Sequence, residues 1–438
     1  MKKLFYTTFL LLFVLTVQAQ KINVAKLDSL FNILETKDKF MGSIAIAENG
    51  KIIYTKSIGK DDIETNKKST GNSKYRIGSI SKMFTSALIF KAIEESKLSL
   101  NQTIESFFPM IENAKKITIG NLLNHKSGIH NFTSDEEYLK YNTEPKSETE
   151  MLAIIEKGKS DFVPNSKNEY SNSNYVLLSY ILEKTYKKPF KTILEDKIIK
   201  PLGLKNTFFG SKINLKNNDV NSYDFEDKWK KQTETDMSIP MGAGAIVSNP
   251  TDLTIFIKSL FDGKIINHKS LDLMNTFEGK FGFGIFKVPF LDKTGFGHTG
   301  GIDGFSSWLV YFKDEKLAIA ITSNGSNYSN NKLTIAALSS YFDKPFAIPD
   351  FKELVLKTEE LDQYLGEYSS PDFPLKITIT KENSTLIAQA TGQSSFPLTA
   401  IEKDKFEFEA AKIILEFKPS DNQMTLNQNG RKFVLSKK

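Results

Sequence analysis

The chain has 438 residues and not one cysteine. That absence removes disulfide cross-links, thiolate catalysis and thiolate metal sites together, so the fold must be held by what it buries. The means are present: 40% of residues are hydrophobic and 34 are phenylalanine, and the length suits two domains better than one. Four histidines, His125, His130, His268 and His298, show no ligand spacing, so no metal and no cofactor is expected. Net charge is +6 with lysine spread evenly, which argues against a nucleic-acid surface.

Met1 to Ala19 opens with Lys2 and Lys3, continues through an apolar core from Phe9 to Val17 and ends on Val17-Gln18-Ala19. This is the pattern of a cleavable signal peptide. No stretch is long and apolar enough to suggest a membrane span, so the expected location is periplasmic or secreted, without a cysteine-linked lipid anchor.

The stretch Gly78-Ser79-Ile80-Ser81-Lys82-Met83-Phe84 reads as a loop running into a helix, with apolar Met83, Phe84, Ala87, Leu88, Ala92 and Ile93 at helical spacing. Residues three apart on a helix share a face, so the Lys82 amine projects one turn above the Ser79 hydroxyl. A serine becomes a nucleophile when a neighbour takes its proton, and a lysine of lowered pKa can do so. The motif alone is weak. Ser57 with Lys60 and Ser329 with Lys332 have the same spacing, but the first ends a strand-like run and the second lies in an Asn/Ser-rich turn, so neither is expected to open a long amphipathic helix.

Upstream, Val24–Glu35 reads as an amphipathic helix and Met41–Gly59 as a hairpin turning at Asn49-Gly50. Downstream, Ile119, Leu122 and Leu123 are expected to pack inward, with Gly128 as a C-terminal cap; His125 reads as a loop-holding residue rather than a base. Tyr170-Ser171-Asn172 precedes a helix from Val176 to Tyr186; the Tyr170 phenol can relay protons and the Asn172 amide can hold a carbonyl, against the plainer reading of a packed turn. Met241–Ser248 reads as a pocket wall or as packing alone. In Gly297-His298-Thr299-Gly300-Gly301, the glycines let a substrate approach the backbone, Gly301 N–H and Ser79 N–H would form an oxyanion hole, and His298 would supply a further donor.

Taken in order, Ser79-Ile80-Ser81-Lys82, Tyr170-Ser171-Asn172 and His298-Thr299-Gly300-Gly301 resemble the three motifs of the serine β-lactamase and penicillin-binding-protein superfamily, nearest its class C β-lactamase-like branch. Leu122-Leu123-Asn124-His125-Lys126-Ser127-Gly128 and Pro201-Leu202-Gly203-Leu204 fit the same pattern. The resemblance implies an α/β (α+β) fold, with an antiparallel sheet flanked by helices and an all-helical subdomain. It implies an acyl-serine mechanism with Ser79, Lys82 and Tyr170 catalytic and Asn172, His298, Thr299, Gly300 and Gly301 binding substrate. A literal Lys293-Thr294-Gly295 is rejected in favour of His298, because the expected Gly-Phe-Ser segment follows His298 at the matching distance.

Two departures bear on substrate. Histidine stands where β-lactamases carry lysine, and it is mostly neutral at pH 7, which turns the expectation from β-lactamase toward peptidase or esterase. Asn165 replaces the usual glycine after Pro164, at little cost because asparagine tolerates a left-handed backbone. The leading expectation is a D-Ala-D-Ala carboxypeptidase or other D-amino-acid peptide hydrolase, with cell-wall peptidoglycan as a partner; the alternatives are a carboxylesterase, a class C-like β-lactamase or a non-catalytic penicillin-binding protein.

The expected divisions are 1–19 signal peptide, 20–345 hydrolase domain and 346–438 linker and C-terminal β-domain. Within the last, Leu375–Thr380, Thr385–Ala390 and Ile413–Phe417 alternate as short strands between polar turns, giving a small antiparallel barrel or sandwich whose default role is structural.

Overall fold

The computed structural model describes residues 22–438 except 227, 352–355, 394, 409, 410, 412, 429 and 430. The signal-peptide segment 1–19 lies outside the described residues. The chain forms two compact units, meeting in sequence at Ile348 and Pro349.

The first unit is built on six antiparallel strands: β1 (Phe40–Glu48), β2 (Lys51–Ile58), β3 (Phe286–Phe290), β4 (Lys293–Ile302), β5 (Phe305–Phe312) and β6 (Leu317–Ser326). Their spatial order is β3-β4-β5-β6-β1-β2. The β1–β2 turn has positive φ at both Asn49 and Gly50, the conformation for which Asn-Gly is favoured. β1 then pairs with β6 from Phe40 opposite Ser326 to Glu48 opposite Leu317, so the two ends of the unit close one sheet. Residues 40 to 47 are all buried, as expected of a central strand covered on both faces.

Helices α1 (Val24–Thr36), α2 (Ser81–Glu94), α3 (Asn172–Tyr186), α4 (Pro250–Phe261) and α5 (Asn330–Tyr341) are the longest. α1 buries Leu27, Leu30, Phe31 and Leu34 along one stripe, as the periodicity predicts. α2 departs from the one-sided pattern, because every residue from Ser81 to Phe90 is buried. Its small polar side chains are satisfied internally: Thr85 donates to Gly242 O at 2.7 Å, Ser86 to Phe283 O at 2.6 Å, and Ser81 Oγ accepts from Ile246 N–H at 3.1 Å. α2 is the axle of the unit.

Two local expectations are corrected. The short helix Ile119–Leu123 ends at Asn124 with His125 left-handed (φ +60), so Gly128 is not its cap. Gly128 is needed because a Cβ there would fall 2.1 Å from Phe162 O. Ser329 does open a twelve-residue helix, α5, as its N-cap accepting from Lys332 N–H at 3.4 Å.

The second unit closes eight antiparallel strands into a barrel from Gly366 to Lys437, the last pairing back onto the first through Tyr368 opposite Lys437. Alternation decides its inside: Ile377 and Ile379 are buried while Lys376, Thr378 and Thr380 are exposed. Tyr368, Leu386, Leu398, Phe406, Met424 and Leu435 complete a core of side chains. Closure leaves no free sheet edge, and the barrel is chosen over the sandwich.

Candidate active site

Ser79 lies in a single 3-10 turn, Gly78–Ile80, immediately ahead of α2. Gly78 has φ +50, and a Cβ there would stand 2.8 Å from both N and O of Gly301 at the end of β4. Gly300 is equally confined, since its Cβ would fall 2.0 Å from Ile77 O, a carbonyl that accepts from Ser307 Oγ at 2.8 Å. Only bare backbone permits this approach. It sets the backbone of Ser79 beside that of Gly301, where the sequence places two oxyanion donors.

Lys82 is fully buried on α2 with its Nζ 3.0 Å from Ser79 Oγ. It also donates to Asn172 Oδ1 at 2.7 Å and Ala243 O at 2.8 Å. No ion pair to it exists among the described residues, and burial holds its pKa well below that of an ordinary lysine. A neutral amine has two N–H groups and one lone pair. The amide and carbonyl oxygens can only accept, so they take the two N–H groups, and the lone pair is left facing Ser79.

The Tyr170 side chain lies beside Ser79, and Lys82 Nζ stands 4.9 Å from its ring centroid. Burial raises its pKa, so it is a phenol rather than a phenolate. His125 holds the loop that carries it. Its Nδ1 accepts from Ser171 N–H at 3.2 Å, its carbonyl from Glu169 N–H at 2.9 Å, and its ring stacks 4.5 Å from Tyr170. Desolvation keeps this imidazole neutral, the loop-holding role the sequence favoured.

Asn172 opens α3. Its Nδ2 donates to Thr133 Oγ1 at 2.9 Å and its backbone N–H to Asn131 Oδ1 at 2.9 Å, leaving one amide hydrogen for a substrate carbonyl. Asn165 is left-handed at φ +72, as its residue type allows.

His298 on β4 is buried, with Nδ1 donating to Thr299 O at 2.5 Å. Burial first, and nearby Lys82, push its pKa down to about 3. The sequence reading gave His298 a donor over the pocket; instead its one N–H is spent on its neighbour's carbonyl and Nε2 is left as an acceptor. Its ring packs 4.2 Å from Phe286 and 6.3 Å from Tyr170. Beside it a cavity of about 290 Å³ is lined by Phe286, Lys287, Val288, Thr299, Trp308 and Leu309. Lys287 places its ammonium over the Phe277 ring at 4.7 Å. Lys293 starts β4, five residues before His298, and pairs with Glu315 at 2.6 Å. At about 3.4 Å per residue it stands far from Ser79.

Four contributors escaped the sequence. Ala243 acts through a carbonyl, which carries no residue-type signal. Asn131 and Thr133 sit in a polar loop that reads as uninformative. Phe281, 5.0 Å from His125 and 6.0 Å from Tyr170, was findable from the Phe-Gly-Phe-Gly alternation at 281 to 284, where Gly284 is left-handed. Among the described residues no cluster of three His, Asp or Glu side chains could hold a metal ion.

The sequence matches the Beta-lactamase family over residues 34–339. A teichoic acid D-alanine hydrolase of Staphylococcus aureus is 26% identical over 326 residues, covering 70% of this chain and 79% of the relative. A D-amino acid amidase of Ochrobactrum anthropi SV3, solved with L-phenylalanine amide, superposes with TM-score 0.65 at 24% identity over 73% of this chain and 99% of its own. An octameric penicillin-binding protein homologue from Pyrococcus abyssi superposes with TM-score 0.68 at 23% identity over 95% of this chain and 100% of its own, so the fold likeness extends into the second unit. With the family match over residues 34–339 spanning well over half its length, the chain belongs to the Beta-lactamase family and is a hydrolase.

Proposed function

We propose that this protein hydrolyses D-aminoacyl amides or esters whose leaving group carries no carboxylate, through an acyl-Ser79 intermediate, outside the cytoplasm as the Met1–Ala19 segment implies. The observation that carries the reading is the buried Lys82 amine, 3.0 Å from Ser79 Oγ and surrounded only by neutral acceptors. Lys82 takes the Ser79 proton as the oxygen attacks the carbonyl. The N–H groups of Ser79 and Gly301 bind the resulting oxyanion, and the Asn172 amide holds the acyl side. Tyr170, a phenol beside Ser79, gives its proton to the leaving group and recovers one from the Lys82 ammonium, so the lysine is again a free amine when water enters and takes its proton.

Substrate class follows from charge. A D-Ala-D-Ala carboxypeptidase or a β-lactamase holds a free carboxylate beside the scissile bond, and a neutral His298 attracts it weakly. Acyl groups joined to an uncharged amide or ester suit the site better, and the D-amino-acid substrates named for the Staphylococcus and Ochrobactrum relatives agree. Simple carboxylester hydrolysis is the second reading, favoured by the same neutral imidazole. The test is release of alanine from D-alaninamide, against L-alaninamide and a Ser79→Ala control. Turnover of the D isomer that Ser79→Ala abolishes supports the proposal. Faster consumption of benzylpenicillin or of D-Ala-D-Ala, or equal turnover of both isomers, contradicts it.

A further inference from the structure

One buried ion pair takes no part in that reaction. The Arg76 side chain is 2% exposed and donates from Nη1 to Asp303 Oδ2 at 2.9 Å; the Asp303 side chain is 3% exposed. Nη1 also donates to Thr235 O at 2.8 Å, and Nη2 to Glu234 Oε2 and Ser211 O, each at 3.2 Å. The second Asp303 oxygen accepts from Thr235 N–H at 3.1 Å and Oγ1 at 2.6 Å. Four stretches of chain converge on this pair.

Burying two charges forfeits most of what their attraction returns, so such a pair is a weak source of net stability and its placement asks for another reason. Arg76 stands three residues before Ser79. Asp303 stands two residues after Gly301, in a turn where its own φ is +51. Between these anchors run the two stretches of backbone already described, Gly78 against Gly301 and Ile77 O against Gly300 and Ser307. The arginine end is itself fixed: Arg76 pairs with Val247, and Ile77 N–H donates to Ile246 O at 3.0 Å, just beyond the Ala243 carbonyl that holds Lys82. The aspartate end is fixed too, because a Cβ on Gly304 would meet the Tyr223 backbone at 2.9 Å.

We infer that the Arg76–Asp303 pair is a positioning clamp that sets the separation of the Ser79 and Gly301 N–H groups, so that both reach the oxygen of the tetrahedral intermediate. The inference rests on the acyl-serine reading above. Neither side chain touches substrate; both act through the backbone they hold. Oxyanion donors work within about 2.7–3.1 Å of the developing charge, and a displacement of about 1 Å costs on the order of a hundredfold in rate. A lysine keeps the charge at position 76 but not the planar fork that bridges Asp303, Thr235, Glu234 and Ser211.

The test is Arg76→Lys in the full chain, read by kcat and KM for D-alanine p-nitroanilide and by inhibition with phenylboronic acid, whose tetrahedral serine adduct uses the same two donors. The expected result is a cooperative thermal transition, a kcat lowered about 10- to 100-fold, a KM within about twofold of the parent, and boronate inhibition weakened in step with kcat. A merely structural role would lower the Tm while leaving kcat per acylatable site and boronate inhibition at parental values. That result overturns the inference. Where Arg76→Lys does not fold, Asp303→Asn, which keeps the side-chain shape and the acceptor for Thr235, is judged by the same two readouts. Ser79→Ala is run beside them: if it retains turnover, the acyl-serine reading falls; if it is inactive while the clamp variants behave as the parent, the clamp falls alone.

Discussion

Arg76 and Lys82 are both long cations, both almost wholly buried, on either side of Ser79, and they are given opposite surroundings. Arg76 meets two carboxylates and two carbonyls; Lys82 meets a hydroxyl, an amide and a carbonyl. A guanidinium keeps its charge wherever it is placed, so burial demands partners of opposite sign, and the pair becomes a fixed joint. An ammonium can leave its proton behind, so burial without a carboxylate turns it into a base. What a buried cation does is therefore read from its partners.

The largest effect expected along this contrast is at the nucleophile. Ser79→Ala should lower kcat by about 10⁶-fold and remove any acyl adduct seen by intact mass, with little change in Tm. Lys82→Met should lower kcat about 10³- to 10⁴-fold, the scale of a lost general base, while costing no more than about 2 kcal/mol of stability for the acceptors left behind. Arg76→Met should behave in reverse for the fold, losing about 3–5 kcal/mol because Asp303 stays buried without its partner; chemical denaturation of the two variants side by side compares them directly. Equal stability losses would erase the distinction. Tyr170→Phe should lower kcat about 10- to 100-fold, more for D-alaninamide than for p-nitrophenyl butyrate, whose leaving group needs no proton. Lys293→Ala should leave kcat within about twofold, whereas His298→Ala should not; the opposite pattern would return the third motif to Lys293.

His298 adds a stability signature. Its folded pKa of about 3 lies below the unfolded value of about 6.5, so the unfolded chain binds the extra proton. The contribution is whole above pH 6.5 and is lost as pH falls toward 3. His125, lowered in the same direction, adds to it. Tm measured from pH 7 to pH 5 should fall, and less steeply in His298→Gln.

Much of this was legible in the chain. Ser79 and Lys82 announce themselves by spacing at a helix start, which separates them from Ser57 at the end of a strand-like run, and the order of the three motifs excludes Ser329, although Ser329 caps a helix that a polar turn conceals. The Asn49-Gly50 hairpin and the alternating barrel strands follow from local rules that act within a few residues. What stayed hidden acts across long separations or through backbone. The Arg76–Asp303 bond joins positions 227 apart, and nothing in either residue type names the other. The Ala243 carbonyl looks like any carbonyl. The direction of the His298 N–H depends on a neighbour's oxygen that only the folded strand presents.

The most direct test of the central claim is the pH dependence of kcat/KM for D-alanine p-nitroanilide between pH 5 and pH 10.5. With Lys82 neutral at rest, the rate should rise with pH through a single ionisation well below the ordinary lysine value of about 10.4 and then level off. A rate still climbing tenfold per pH unit beyond pH 9 would mean that Lys82 keeps its proton until an ordinary lysine would lose it, and would contradict the account.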